Sequence, residues 1–163
     1  QMTNFGVEVA FDKLGVPFSR AKVGDRYVME QLKSNDWVLG GEGSGHRICF
    51  DKSTTGDGSV SSLQVLHAMW RRERSIGDLA NEMVKLPQAL KNVRIAKRCD
   101  PMANAEVAKA VAEQELRFEG KGRVLLRASG TEPLIRVMAE GEDPVLVDQV
   151  VDRLVSVVSE TLA

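Results

Sequence analysis

A polar segment in the C-terminal quarter of the sequence has the residue types of an anion-binding loop. Residues 127–133 read Arg-Ala-Ser-Gly-Thr-Glu-Pro, and a second arginine follows three residues later. Arginine, hydroxyl groups and a run of backbone N–H groups can together satisfy the oxygens of a phosphate. The candidate phosphate ligands are Arg127, Ser129, Gly130, Thr131 and Arg136. On composition alone a plain β-hairpin turn is an equally good interpretation, because Gly, Ser and Pro are the usual turn residues.

A second candidate loop lies earlier in the chain, where residues 40–46 read Gly-Gly-Glu-Gly-Ser-Gly-His. Its glycines allow a close approach of the backbone to a ligand. Glu42, Ser44 and His46 can accept from and donate to sugar hydroxyls. One carboxylate and one histidine are too few for a metal site, and no Gly-Lys-Ser/Thr follows as in a nucleotide-binding P-loop. A flexible surface loop is the alternative interpretation at this stage.

Two further turns precede predicted helices. Asp25 and Arg26 follow Gly24, and they fit either ligand contact or a solvated helix cap. Residues 54–58 read Thr-Thr-Gly-Asp-Gly, for which capping of the next helix is the favoured interpretation.

Composition excludes several functional classes. The chain has 163 residues, with 22 basic and 23 acidic side chains, a balance that argues against binding of nucleic acid in bulk. No apolar run approaches the length of a membrane span, and the start does not resemble a signal peptide. Cys49 and Cys99 are far apart and are predicted to be reduced, which favours a cytoplasmic protein, and the lack of an apolar span predicts no membrane partner.

Residues 1–85 alternate between predicted helices and strands. Helices are predicted near residues 7–14, 26–33, 59–70 and 75–84, and strands at 16–21, 37–39 and 47–50. This alternation predicts an α/β layered domain. Since the pattern starts on a helix, we expect a truncated three-layer α/β domain whose N-terminal part is missing.

Residues 86–163 have a different order of predicted helices and strands. The preceding segment, Lys85-Leu86-Pro87, is interpreted as a domain boundary. Strands are predicted at 88–97, 122–127 and 134–140, and helices at 104–118 and 144–161. The β-α-β-β-α order predicts a small α+β domain with its helices on one face of the sheet. Val147, Val150, Val151, Leu154 and Val158 form the apolar face of the last helix.

Four segments in one order, at residues 24–28, 41–46, 54–58 and 123–141, closely resemble bacterial phosphoglucosamine mutases of the α-D-phosphohexomutase superfamily. The Ser-Gly-Thr-Glu-Pro form of the C-terminal loop is more similar to the glucosamine branch than to phosphomannomutase/phosphoglucomutase enzymes. The resemblance implies an isomerase that interconverts glucosamine 6-phosphate and glucosamine 1-phosphate through a bisphosphate intermediate. It also implies four domains, with a phosphorylated serine in the first and an Asp-rich Mg²⁺ loop in the second.

The resemblance assigns roles to residues of this chain. Glu42 and Ser44 match the sugar-binding positions, with His46 beside them, and Asp25 and Arg26 match a loop that faces the substrate. The phosphate loop is matched by Arg127, Ser129, Gly130 and Thr131, with Arg136 as support. Gly43 departs from the family pattern, which usually has a longer side chain there.

The catalytic serine and the Asp-rich loop of the family have no counterpart in this sequence. We therefore expect no catalytic residue and no metal ligand in this chain, with Mg²⁺ bound elsewhere in the full-length enzyme. A hexosamine phosphate is the expected ligand, and an exposed sheet edge favours a homodimer. The alternatives are a stand-alone sugar-phosphate-binding module and a phosphomannomutase/phosphoglucomutase relative.

Overall fold

The computed structural model describes residues 1–163, which form two compact units, Gln1–Val84 and Lys85–Ala163. The first unit contains α1 (Phe5–Lys13), α2 (Asp25–Asn35), β1 (Leu39–Gly41), β2 (Arg47–Cys49), α3 (Gly58–Arg72) and α4 (Ile76–Ala80). The second contains β3 (Gln88–Arg94), a 3₁₀ turn (Pro101–Ala103), α5 (Ala105–Leu116), β4 (Gly122–Ala128), β5 (Leu134–Gly141) and α6 (Pro144–Leu162). The mixed α/β class predicted from the sequence is confirmed. No helix combines the length and the apolar character that a bilayer crossing requires.

The predicted strand at residues 16–21 is wrong. The segment pairs with no strand, and side chains hold it instead: Arg20 Nη1 donates to Thr3 O at 2.7 Å, and Arg20 Nε pairs with Glu8 at 2.9 Å. The terminal amine of Gln1 donates to Ala21 O at 2.7 Å. An apolar run needs a neighbouring strand to complete a hydrogen-bond ladder, and these contacts take its place.

Helix α2 positions the hairpin of the first unit. It ends at Asn35, its C-cap Asp36 adopts the left-handed conformation with φ 54°, and the Trp37 N–H donates to Leu32 O at 2.9 Å. This hydrogen bond holds Trp37 at the end of the helix. The strand predicted at 37–39 is therefore shorter, and β1 begins only at Leu39.

The hairpin β1–β2 is antiparallel, with Gly40 opposite Ile48 and Gly41 opposite Arg47. Ile48 packs with Val28 and Leu32 of α2 in a small core. A Cβ on Gly40 would lie 2.6 Å from Val28 Cγ1, so glycine is what lets the helix lie this close to the strand. The core thereby fixes the end of the hairpin beside the first turn of α2.

Helices α3 and α4 start at the predicted caps. Asp57 accepts from the N–H groups of Ser59 and Val60 at 2.8 and 3.0 Å, which confirms the capping interpretation of residues 54–58. Ser75 and Asp78 form a capping box on α4. This helix ends at Ala80, four residues before the predicted end, after only about one turn.

The second unit has the predicted β-α-β-β-α order, and its sheet is antiparallel with strand order β3-β5-β4. Strand β3 stops at Arg94 rather than at the predicted Lys97, because its partner β5 begins at the opposing residue Leu134. Alternate residues of the sheet face α5 and α6, and together they bury an apolar core that also contains Phe118. The apolar face predicted for α6 is confirmed, since all of its residues lie in this core: Val147, Val150, Val151, Leu154 and Val158.

Gly122→Ala should lower the free energy of unfolding by about 1–3 kcal/mol, the usual cost of overpacking. A Cβ there would lie 2.5 Å from Phe118 Cδ1 and 2.6 Å from Glu140 O. Urea denaturation checks this value, with Gly58→Ala as the matched control, since a Cβ on Gly58 meets nothing within 4 Å. Equal midpoints for the two variants would contradict the close packing at Gly122.

Candidate functional site

The glycine-rich segment forms the loop of the hairpin β1–β2 in the first unit. Glu42 N–H donates to His46 O at 2.9 Å, and Gly45 N–H donates to Glu42 O at 3.1 Å. Gly45 has φ 105°, a conformation that side-chain-bearing residues rarely adopt. The three-residue loop 43–45 therefore closes the hairpin with Glu42 and His46 opposite each other.

The Glu42 carboxylate is fixed from two sides. Its Oε1 accepts from the Gly24 N–H at 2.5 Å, and its Oε2 lies 3.4 Å from the Ser44 hydroxyl. A carboxylate offers about four lone-pair positions, so these two contacts leave acceptor capacity for further donors. The Gly24 contact links the hairpin to the first turn of α2, and no sequence pattern pointed to this backbone group.

His46 is oriented by Asp25, the first residue of α2. Its Nδ1 lies 3.1 Å from both carboxylate oxygens of Asp25. With Nδ1–H donating to the carboxylate, Nε2 is left to face outward, and the imidazole side chain is 65% exposed. The structure thus brings together four of the residues predicted to bind sugar: Asp25, Glu42, Ser44 and His46.

Arg26 does not join this cluster. Its guanidinium pairs with Glu30 one turn along α2 at 2.8 Å, and this hydrogen bond raises the pKa of Arg26. Arg47, which the sequence reading missed, instead supports the loop by donating to Glu42 O at 2.6 Å and to His46 O at 3.0 Å. Its position beside His46 carried no signal that distinguishes it from other strand-end arginines.

The ligand atoms of Asp25, Glu42 and His46 lie within 4.8 Å of one another. This set contains a nitrogen ligand, whereas Mg²⁺ takes oxygen ligands in an octahedral shell. His46 Nδ1 and Glu42 Oε1 are also already engaged with Asp25 and Gly24. The cluster therefore does not fit Mg²⁺.

The polar loop of the second unit joins β4 to β5. Arg127 and Arg136 are direct cross-strand partners just before and after it. Ser129, only 2% exposed, closes the loop by donating its N–H to Leu134 O at 2.9 Å. The predicted phosphate ligands of both strands are thus brought to one end of the hairpin.

Arg127 and Arg136 have no carboxylate partner. Neither takes part in any of the ion pairs of the chain, and the Nε atom of each is buried without a hydrogen-bond partner. Like charges directly opposite in an antiparallel pair are unfavourable, and a buried donor without a partner adds to that cost. An anion placed between these guanidinium groups would offset both penalties.

Within the loop, the Ser129 hydroxyl lies 3.4 Å from the N–H groups of Thr131 and Glu132. The φ of Gly130 is not in the left-handed region, so the loop conformation does not require glycine at this residue. A Cβ on Gly130 would meet nothing within 4 Å. The protein's own packing therefore does not require glycine at residue 130, and the space beside its backbone is open.

Comparison with known proteins assigns both units. Residues 1–86 match the model of the phosphoglucomutase/phosphomannomutase α/β/α domain III, and residues 90–157 match the C-terminal domain of the same family. The chain is 56% identical to the phosphoglucosamine mutase of Hahella chejuensis over 96% of its own length and 35% of the relative's. It thus spans about a third of the length of such relatives.

Solved structures agree on the fold. A structure of Aspergillus fumigatus N-acetylphosphoglucosamine mutase superposes with a TM-score of 0.81 at 18% identity, covering 98% of this chain and 37% of that chain. A second structure of the Aspergillus enzyme, in complex with GlcNAc-6P and magnesium, has a TM-score of 0.58 at 24% identity and covers 68% of this chain and 22% of that one.

Proposed function

Since the chain belongs to the phosphoglucomutase/phosphomannomutase family, we propose that it supplies the substrate-recognition loops of a phosphoglucosamine mutase. The whole enzyme would interconvert glucosamine 6-phosphate and glucosamine 1-phosphate through a bisphosphate intermediate. The 56% identity to a phosphoglucosamine mutase supports this substrate class over mannose or glucose phosphates.

The observation that carries the proposal is the pair Arg127 and Arg136. Two arginines lie directly opposite each other, with buried Nε donors that no protein group satisfies. Such an arrangement is costly in a structural hairpin and favourable around a phosphate dianion. The loop 127–133 would therefore bind the phosphate that is not being transferred, with Ser129, Gly130 and Thr131 contributing donors from the loop itself.

The hairpin loop of the first unit would bind the sugar. Glu42 keeps acceptor capacity beyond its contacts to Gly24 and Ser44, and two neighbouring sugar hydroxyls can fill it. His46, oriented by Asp25, would present its outward nitrogen to a further hydroxyl. Arg26 is bonded to Glu30 and would contribute only after leaving that partner.

The chemical step would be performed by groups outside these 163 residues. We propose that the phosphorylated serine and the Mg²⁺ ligands belong to another part of the enzyme, and magnesium is present in the Aspergillus complex. When bound, the metal would neutralise charge on the transferring phosphoryl group. The residues described here would bind and orient the sugar phosphate. We also predict that the enzyme is cytoplasmic and that it forms a homodimer.

Glu42→Gln should weaken glucosamine 6-phosphate binding by about tenfold and leave inorganic phosphate binding unchanged, because a charged acceptor contributes about 1.5–3 kcal/mol to a hydrogen bond. Isothermal titration of the 163-residue chain with both ligands measures this. Glu73→Gln, at the exposed C-terminal end of α3, is the matched control. Equal weakening for both ligands would contradict the assignment of Glu42 to the sugar.

The same titration tests the proposed function as a whole. Glucosamine 6-phosphate is expected to bind more tightly than glucose 6-phosphate, mannose 6-phosphate or phosphate alone. Tighter binding of mannose 6-phosphate or glucose 6-phosphate would favour the phosphomannomutase/phosphoglucomutase branch. Absence of binding for every phosphate would overturn the proposal.

A further inference from the structure

Arg98, which follows β3, reaches the loop 127–133 from the side. Its Nη2 donates to Ser129 O at 2.8 Å and also to Gly130 O. Arg98 takes part in none of the ion pairs of the chain. One guanidinium nitrogen therefore binds two successive carbonyl groups of the loop.

These two carbonyls determine where the loop N–H groups point. In a planar trans peptide the C=O of one residue and the N–H of the next point in opposite directions. Binding of Ser129 O and Gly130 O by Arg98 therefore turns the Gly130 and Thr131 N–H groups to the side away from Arg98. The Gly130 N–H has no acceptor in the protein, and the Thr131 N–H has only the 3.4 Å contact to the Ser129 hydroxyl.

Successive N–H groups that point to one side form a concave site for an anion. The open space next to Gly130 leaves room for it, since a Cβ on this residue would meet nothing within 4 Å. The N–H donors are useful to a ligand only if the peptides do not rotate. In an exposed loop with a glycine, two hydrogen bonds to a cation are a direct means of preventing that rotation.

We propose that Arg98 is a positioning residue that fixes the Ser129-Gly130 and Gly130-Thr131 peptides so that their N–H groups face a bound phosphate. This inference rests on the proposed function of the loop. Arg98 acts on the phosphate through the two peptides, in contrast to Arg127, which would contact the phosphate directly.

The test compares inorganic phosphate binding, by isothermal titration at low ionic strength, among variants of the 163-residue chain. Arg98→Ala should weaken phosphate binding by about tenfold, the order expected for lost hydrogen bonds to a charged group. Arg98→Lys should restore most of the affinity, because a single ammonium nitrogen can donate to both carbonyls as Nη2 does. Arg153→Ala, which removes an exposed positive charge from α6, should bind like the unchanged chain.

A second readout separates positioning from direct contact. In ¹H–¹⁵N spectra without ligand, Arg98→Ala should shift or broaden the Gly130 and Thr131 amide signals, whereas Arg153→Ala should not. Ligand-free spectra of Arg98→Ala that superpose on those of the unchanged chain would overturn the proposal, as would unchanged phosphate affinity. If both Arg98→Ala and Arg127→Ala bind phosphate normally, the proposed function of the loop fails. If Arg127→Ala loses binding and Arg98→Ala keeps it, only the proposed role of Arg98 fails.

Discussion

Arg123→Ala should lower the free energy of unfolding by about 3–5 kcal/mol, the cost of leaving one partner of a buried ion pair alone. Arg123 Nε lies 2.5 Å from Glu140 Oε1, and the two side chains are 15% and 0% exposed. Removal of the arginine would leave the Glu140 carboxylate buried without its cation. Urea denaturation at neutral pH measures the change.

The matched control for this pair is Lys91→Ala, which breaks the exposed ion pair of Lys91 with Asp152. Exposed pairs contribute about 0–1 kcal/mol, so this variant should unfold close to the unchanged chain. Replacing both buried partners, Arg123→Met with Glu140→Leu, should recover most of the lost stability, because no buried charge remains. A cost for Arg123→Ala no larger than that of Lys91→Ala would show that Glu140 finds another way to be satisfied.

Arg127→Ala should weaken phosphate binding by about 10- to 100-fold, the equivalent of a charge-assisted hydrogen bond of about 1.5–3 kcal/mol. The same substitution should leave the unfolding free energy unchanged or raise it by up to about 1 kcal/mol, because it separates like charges on adjacent strands. Phosphate affinity is thus expected to fall without any loss of stability. Isothermal titration and urea denaturation on one protein preparation measure both.

Arg136→Ala should behave in the same way, since Arg136 is the cross-strand partner of Arg127 and shares its unsatisfied Nε. Arg117→Ala is a suitable control, because the Arg117 guanidinium donates to Gln114 and Gln149 on the helical layer. Arg127→Ala could instead lower the free energy of unfolding by more than it weakens the free energy of phosphate binding. That result would mean that the arginine pair is structural, as the hairpin-turn interpretation holds.

The second unit could be predicted closely because its signals are local and repeated. The apolar residues of α6 recur at helical spacing over 19 residues, and all of the predicted ones are buried. Strand β4 alternates between buried and half-buried residues over its central part, and β5 does so in its first four residues, on either side of a turn-forming loop. Once the hairpin is centred on that loop, its register places Arg123 opposite Glu140 and Arg127 opposite Arg136. The buried pair could have been found from this register.

The first unit was harder to predict because its strands depend on partners. Residues 16–21 have the composition of a strand, yet no strand lies beside them and Arg20 holds the segment through its side chain. The helical spacing of Leu63, Leu66 and Trp70 in α3 suggests a buried face, but these side chains are 57–77% exposed. An apolar composition indicates that side chains tend to be buried, but it does not show which neighbouring surface would bury them.

The candidate site likewise contains some residues that the sequence predicted and others that only the structure revealed. Glu42, Ser44, His46 and the loop arginines were found because their residue types and order resemble a known pattern. The Gly24 N–H, Arg47 and Arg98 act by holding backbone groups, which any residue offers. No sequence motif reports which N–H or C=O a side chain will reach, so these residues required the structure.

The most direct test of the phosphate assignment is the change in ¹H–¹⁵N spectra of the 163-residue chain when glucosamine 6-phosphate is added. The Gly130 and Thr131 amide signals are expected to move progressively, together with the side-chain Nε–H signals of Arg127 and Arg136. Inorganic phosphate should move the same signals, and uncharged glucosamine analogues should not. Loop signals that stay unchanged at saturating sugar phosphate would contradict the assignment of this loop as a phosphate site.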